Sequence, residues 1–205
     1  MLDLSIIVVN WNTREFLRDC LLSIYRSEGD FSFATVVVDN CSEDQSCQMV
    51  TEEFPQARLI RSEINGGYAY ANNLGLRQLY ARYYLLLNPD TVLPPNALSK
   101  MMDFMDGCPD VGIAGPKLVM ADGNLDLACK RGFPTPANSF YKLFGLSRLF
   151  PESRRFGQYN MTYLDPDQVA EVDSVVGAFM MVRNAVVEEV AVSYTHLRAH
   201  ETKAN

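Results

Sequence analysis

The strand-like runs in the first half of this chain all lead into short hydrogen-bonding side chains or glycine. Asn10-Trp11-Asn12 follows LSIIVV, Asp39-Asn40 follows ATVVV, Asn65-Gly66-Gly67 lies just beyond ARLIR, and Asn88-Pro89-Asp90 follows YYLLL. Each run taken singly is what a turn needs, because Asn, Asp and Gly tolerate turn geometry and Pro89 pushes Asn88 toward extended backbone. The coincidence at four runs points to a ligand. A carboxylate such as Asp39 can accept from a base N–H or a ribose hydroxyl, and Asn10, Asn12, Asn65 and Asn88 can donate or accept. Asp90, beside the neutral amide oxygen of Asn88, can hold a hard divalent cation that keeps its waters and takes further ligands from phosphate oxygens.

Other chemistries are excluded at the same positions. The turn after the first run is NWNTRE, without the G-x-G-x-x-G that lets backbone approach a pyrophosphate, and no Walker loop occurs. Five cysteines, Cys20, Cys41, Cys47, Cys108 and Cys129, are scattered without a C-x-x-C, so neither a disulfide framework nor a zinc site is indicated. A formal charge of -7 argues against nucleic acid as a partner, since phosphate backbones demand a basic surface. With 205 residues and 48% apolar content the chain can bury a sizeable core, and it reads as one soluble, cytoplasmic domain with no membrane span.

The elements that must position these groups alternate. LSIIVV, ATVVVD, ARLIR and YYLLL read as buried strands, and each is followed by a helical pattern: Thr13 to Ser27, Asp44 to Phe54, Tyr68 to Ala81, and Pro95 to Asp106. Continuous apolar strands alternating with helices imply a parallel sheet covered on both faces, with ligands outside the carboxyl ends of the strands. Beyond that the pattern changes. KLVMADGNLDLAC suggests two short strands around Asp122-Gly123, the chain from Lys130 reads as loop, and EVDSVVGAFMMVR returns as a core strand. Between Cys129 and Phe156 six basic residues stand against one acid and alternate with six phenylalanines and tyrosines. That segment suits a membrane surface or a lipid-linked anion, or else a solvated helix with a buried aromatic face.

The ordered motifs SIIVVNWN, VVVDNCSEDQS, NGGYAYANNLGL, LLLNPDT, GNLDLACKRGFPTP and EVDSVVGAFMMVRNAV resemble those of the family 2 inverting glycosyltransferases, particularly the rhamnosyltransferase-like branch. The resemblance implies an α/β GT-A fold: a Rossmann-like, mostly parallel sheet with helices on both faces, plus a hairpin and an acceptor-side loop region. It implies a nucleotide-sugar donor, dTDP-rhamnose or a UDP- or GDP-sugar, and Mg2+ or Mn2+. Carried over by position, Asn10, Asn12, Asp39, Asn65, Gly66 and Asn88 would serve the donor and Asp90 the metal. The acceptor would be a glycan or a polyprenyl-linked sugar. Peripheral membrane contact through residues 129–156 belongs to the first of the two readings of that segment.

The sequence departs from the family after VRNAVVEEV. In place of the acidic run that supplies the family's catalytic base stands AVSYTHLRAHETKAN, whose closing VSYTHLRAHETKAN resembles translated adapter sequence. The domain is therefore expected to span 1–191, with 192–205 a foreign tail whose His196 and His200 mimic a metal pair without being one. Asp173 is the substitute base on offer, with a loop carboxylate as its plain alternative. Without a base the chain would bind donor but not turn it over.

Overall fold

The structure, a computed structural model, describes residues 1–133 and 135–190. The tail predicted at 192–205, with His196 and His200, lies outside the described residues. The chain forms two compact units, Met1–Ala114 with the chain from Gly177, and Gly115–Val176.

The first unit is built on a six-stranded sheet of order β3-β2-β1-β4-β6-β5. Strands β1 (Leu2–Asn10), β2 (Phe33–Asp39), β3 (Arg58–Arg61) and β4 (Ala81–Leu87) are mutually parallel, as their uninterrupted apolar runs require. Helices α1 (Arg14–Tyr25), α2 (Ser46–Glu53) and α3 (Gly67–Leu76) make the crossovers, and α4 (Ala97–Gly107) follows β4. The predicted helices all form, each shorter than its pattern at one or both ends. Pro95 does not open α4; it stands one residue before the N-cap Asn96, in a turn closed by Ala97 N donating to Pro94 O.

Both faces of the sheet are dry because successive side chains alternate sides. Ile7, Val36 and Tyr84 meet Ala71 of α3 on one face. On the other, Leu4, Ile6, Val8, Val37, Leu85 and Leu87 are almost completely buried, and Tyr83 sends its hydroxyl 2.6 Å to Asp106 of α4. That bond, with Arg82 beside it, holds the Asp106 carboxyl below the usual carboxylate range.

Two strands alter the expected sheet. β6 (Phe179–Arg183) runs antiparallel to β4, and β5 (Ile113–Ala114), too short to leave a periodic signal, pairs antiparallel with β6. Arg183 explains why the chain turns back here. Its guanidinium donates to the carbonyls of Met105, Cys108 and Val111 and to the Tyr83 hydroxyl, so it caps the end of α4 and ties the turn before β5 to β6. EVDSVVGAFMMVR is thus strand only over its last five residues.

The second unit has little regular structure, and it corrects two expectations. The hairpin around Asp122-Gly123 is a single bridge, Val119 to Leu125, closed by Gly123 at φ 82°. The segment expected as loop instead carries two short helices, α5 (Pro136–Leu143) and α6 (Leu146–Leu149). Thr135 caps α5 by accepting from Asn138 N, and Pro136 occupies a first-turn position that needs no N–H. The helical signal was short and obscured by its basic and aromatic composition.

α3 can sit close to β1 because Gly75 has no side chain: a Cβ there would lie 2.5 Å from Cγ2 of the fully buried Ile7. Gly107, the last residue of α4, would meet nothing within 4 Å. Gly75→Ala is expected to cost about 1–3 kcal/mol through overpacking, whereas Gly107→Ala should be neutral or stabilising by up to about 1 kcal/mol. Urea denaturation of the two variants checks this, and equal midpoints would remove the close-approach account.

Candidate functional site

The carboxyl ends of β1 and β2 are joined by a buried polar knot. Asn10, fully buried, donates from Nδ2 to Asp39 Oδ1 at 2.9 Å and to Ser42 Oγ at 3.1 Å, while its Oδ1 accepts from Thr13 at 2.7 Å. Asp39 is 3% exposed, and its Oδ2 accepts from Ser42 N at 2.9 Å. Asn12 reinforces the knot: its N–H donates to Ser42 Oγ, and its side chain accepts from Glu43 N. A further acidic group, Asp44, accepts from Arg14 N and from Ser46. These bonds hold backbone in the left-handed region at Asn12, Cys41 and Gln45, three of the four such non-glycine residues described. Strain concentrated at two adjacent strand ends marks a turn whose shape is specified by its surroundings.

Two thiols report the same environment. Burial, and then the nearby Asp39 carboxylate, push Cys47 up to about 11. Burial, and then Asp90, push Cys20 up to about 12.

Asn40 carries this order to the turn before α3. Its Nδ2 donates to Asn65 Oδ1 at 2.7 Å, and its Oδ1 accepts from Gly66 N at 3.1 Å. Asn65 Oδ1 also accepts from Gly67 N. Both glycines are needed for different reasons. A Cβ on Gly66 would fall 2.2 Å from the Tyr70 ring, and Gly67 adopts φ 80°. Tyr68 then reaches Gly177 O at 2.8 Å, and Asn88 N and Thr91 Oγ1 donate to Ala178 O. The entry to β6 therefore fastens both α3 and the turn after β4.

These turns enclose an open cleft of about 600 Å³. Asn40, Asn65, Asn88 and Asp90 supply its polar groups, and Trp11, Phe16 and Tyr68, exposed by 55%, 60% and 44%, supply aromatic faces. Among the described residues no lysine or arginine lines it. The residues predicted from sequence thus divide. Asn65, Asn88 and Asp90 face the cleft, while Asn10 and Asp39 are buried beneath it and fix the turn that carries Asn40. Asp90 is exposed, and no hydrogen bond or ion pair to its carboxylate occurs among the described residues. Asp173 belongs to the second unit, where Oδ2 accepts from Phe133 N at 3.0 Å.

Sequence reasoning did not single out Asn40, Ser42 or Tyr68 as site residues. Asn40 sits one place beyond Asp39 and could have been weighed with it. Ser42 and Tyr68 carry no signal that separates them from ordinary loop and helix residues.

The donor set fits one hard cation rather than a protein cage. Among the described residues no three His, Cys, Asp or Glu side chains cluster, so the chain offers Asp90 alone and would leave the remaining positions to water and to ligand oxygens.

Comparison with known proteins places this geometry. The teichoic acid poly(glycerol phosphate) polymerase of Staphylococcus epidermidis is 30% identical over 103 residues, covering 48% of this chain and 14% of that protein. The crystal structure of Staphylococcus aureus TarS residues 1–349 with UDP-GlcNAc matches 67% of this chain and 38% of that one at 26% identity, with a TM-score of 0.52. A mannosyltransferase from Pyrobaculum calidifontis, in complex with GDP-Man and Mn2+, matches 93% of this chain and 48% of that one with a TM-score of 0.57; at 16% identity it speaks to the fold alone. The chain thus spans half or less of each of these proteins, and the shared architecture is the α/β fold of GT-A glycosyltransferases. The family model for glycosyl transferase family 2 matches residues 5–164, which include all four turns around the cleft, and the chain belongs to that family.

Proposed function

We propose that this chain binds a nucleoside-diphosphate sugar in the cleft and transfers the sugar, with inversion, to a hydroxyl of a glycan or lipid-linked acceptor in cell-surface polysaccharide synthesis. The observation that carries the reading is the unpaired Asp90 carboxylate in a cleft of amides and aromatic rings without a basic side chain. A diphosphate cannot rest beside a bare carboxylate without a cation, because the two repel. Asp90 would hold Mg2+ or Mn2+, which when bound offsets the charge that develops on the departing diphosphate.

The chain's own residues do the rest. Trp11, Phe16 and Tyr68 offer faces on which a base or sugar ring can lie, and Asn65 and Asn88 offer donors and acceptors for hydroxyls and ring nitrogens, while the buried Asn40 amide is engaged with Asn65 and Gly66. Asn10 and Asp39 act from beneath and the exposed Asn12 from the surface by fixing the 39–42 turn, and Gly66 and Gly67 shape the α3 entrance. Inversion needs a carboxylate to take the acceptor proton. Asp173, in the second unit with Oδ2 accepting from Phe133 N, is the substitute base that the sequence offers.

Support for the donor class comes from TarS, whose structure holds UDP-GlcNAc. Among donors, dTDP-rhamnose is the one the sequence resemblance favours. Calorimetry with dTDP-rhamnose, UDP-GlcNAc and GDP-mannose, each with and without Mn2+, tests the reading. Absence of binding by all three with Mn2+ present would sink it.

Two substitutions separate the parts of the site. Asp90→Asn should reduce donor affinity with Mn2+ to the level of the parent without metal, a loss of at least the roughly 10- to 100-fold that removing an outer-shell metal partner costs, and leave the melting temperature unchanged. Undiminished affinity in the variant would take Asp90 out of the site. Asp39→Ala strands the Asn10 amide and the Ser42 N–H, a cost of about 1–3 kcal/mol. It should lower the melting temperature and weaken donor binding about five- to hundredfold, with metal or without. A loss confined to Mn2+-containing buffer would contradict this turn-fixing role.

A further inference from the structure

The second unit carries an apolar face that it does not cover. Phe140, Leu143 and Phe144 follow one another at i, i+3 and i+4, so they share one side of α5 and its cap, and they are 51%, 82% and 64% exposed. Leu149 and Phe150, at the end of α6, are 69% and 49% exposed. A solvated helix would bury such a face. Here neither α5 nor α6 has a single buried residue.

The charge around this face has one sign. Between Cys129 and Phe156 six lysines and arginines stand against Glu152, and among the described residues none of the six forms an ion pair with an acid. Several are steered by aromatic rings instead. Lys142 Nζ lies 3.9 Å from the Tyr159 ring centroid, and the Arg155 guanidinium lies 5.9 Å from that of Tyr141. A π face orients a cation without neutralising it, so the positive charge remains available.

We propose that α5 and α6 dock this unit on an anionic lipid bilayer. Leu143, Phe144, Leu149 and Phe150 would enter the headgroup boundary, and Lys142, Arg148, Arg154 and Arg155 would meet the lipid phosphates. Exposed aromatic and leucine side chains flanked by cations match what an interfacial segment needs, and neither feature suffices alone. The protein's net charge of -7 opposes approach to an anionic surface, so contact would have to be made through this locally basic patch. The inference does not depend on the donor reading.

The test is flotation of the whole 205-residue chain with vesicles of phosphatidylcholine alone and of equimolar phosphatidylcholine and phosphatidylglycerol. Binding is expected only to the anionic vesicles and should be lost in high salt. Arg148→Glu, at an exposed position of α6, should weaken partitioning at least about fivefold, the worth of one basic residue at such a surface. The pair Leu143→Ser and Leu149→Ser should weaken it by more, while the fold, followed by circular dichroism and melting temperature, stays unchanged. Absence of binding to anionic vesicles at low salt would overturn the proposal, as would unaltered partitioning by both variants. So would a solution dimer that the serine pair dissociates, which would make the face a contact between copies.

Discussion

The hydrogen bond from Asn10 to Asp39 is the constraint on which the rest of the site depends. It joins the last residues of two adjacent strands, both nearly inaccessible to solvent, so neither group can turn to water if the other is lost. A buried carboxylate is tolerable only when its oxygens are satisfied, and Asp39 meets that condition with the Asn10 amide and the Ser42 N–H. Everything outward follows in sequence: Ser42 holds Asn12, Asn40 holds Asn65 and Gly66, and that turn starts α3. The strained backbone at Cys41 and Gln45 is retained because these bonds leave it no alternative.

A second constraint acts from the far end of the sequence. β6 returns antiparallel beside β4, and Gly177 and Ala178 just before it supply carbonyls to Tyr68, Asn88 and Thr91. The turn carrying Asp90 is therefore held by main-chain groups nearly ninety positions away. Asp90 itself is left unbonded, in keeping with a group whose partner is to come with a ligand.

The chain also separates its charges by place. The cleft contains a carboxylate and no cation, and the α5–α6 segment contains cations and almost no acid. Each is electrostatically incomplete in the opposite sense. An incomplete site of the first kind calls for a metal diphosphate and one of the second for an anionic surface, so the overall charge of -7 says little about either.

The sequence by itself determined the parallel half of the sheet, the helices between its strands and the presence of Asp39, Asn65, Asn88 and Asp90 at its carboxyl edge. It could do so because apolar runs and turn residues are local signals, read within a few positions. Only the tertiary structure decided that Asp39 lies beneath the cleft and Asn40 on its wall, since adjacent residues on one strand end differ only in which way they face. The direction of β6, fixed by Arg183 against α4, and the exposure of Phe144 were equally invisible. Pairing direction and burial are set by distant parts of the chain, and no spacing along the sequence encodes them.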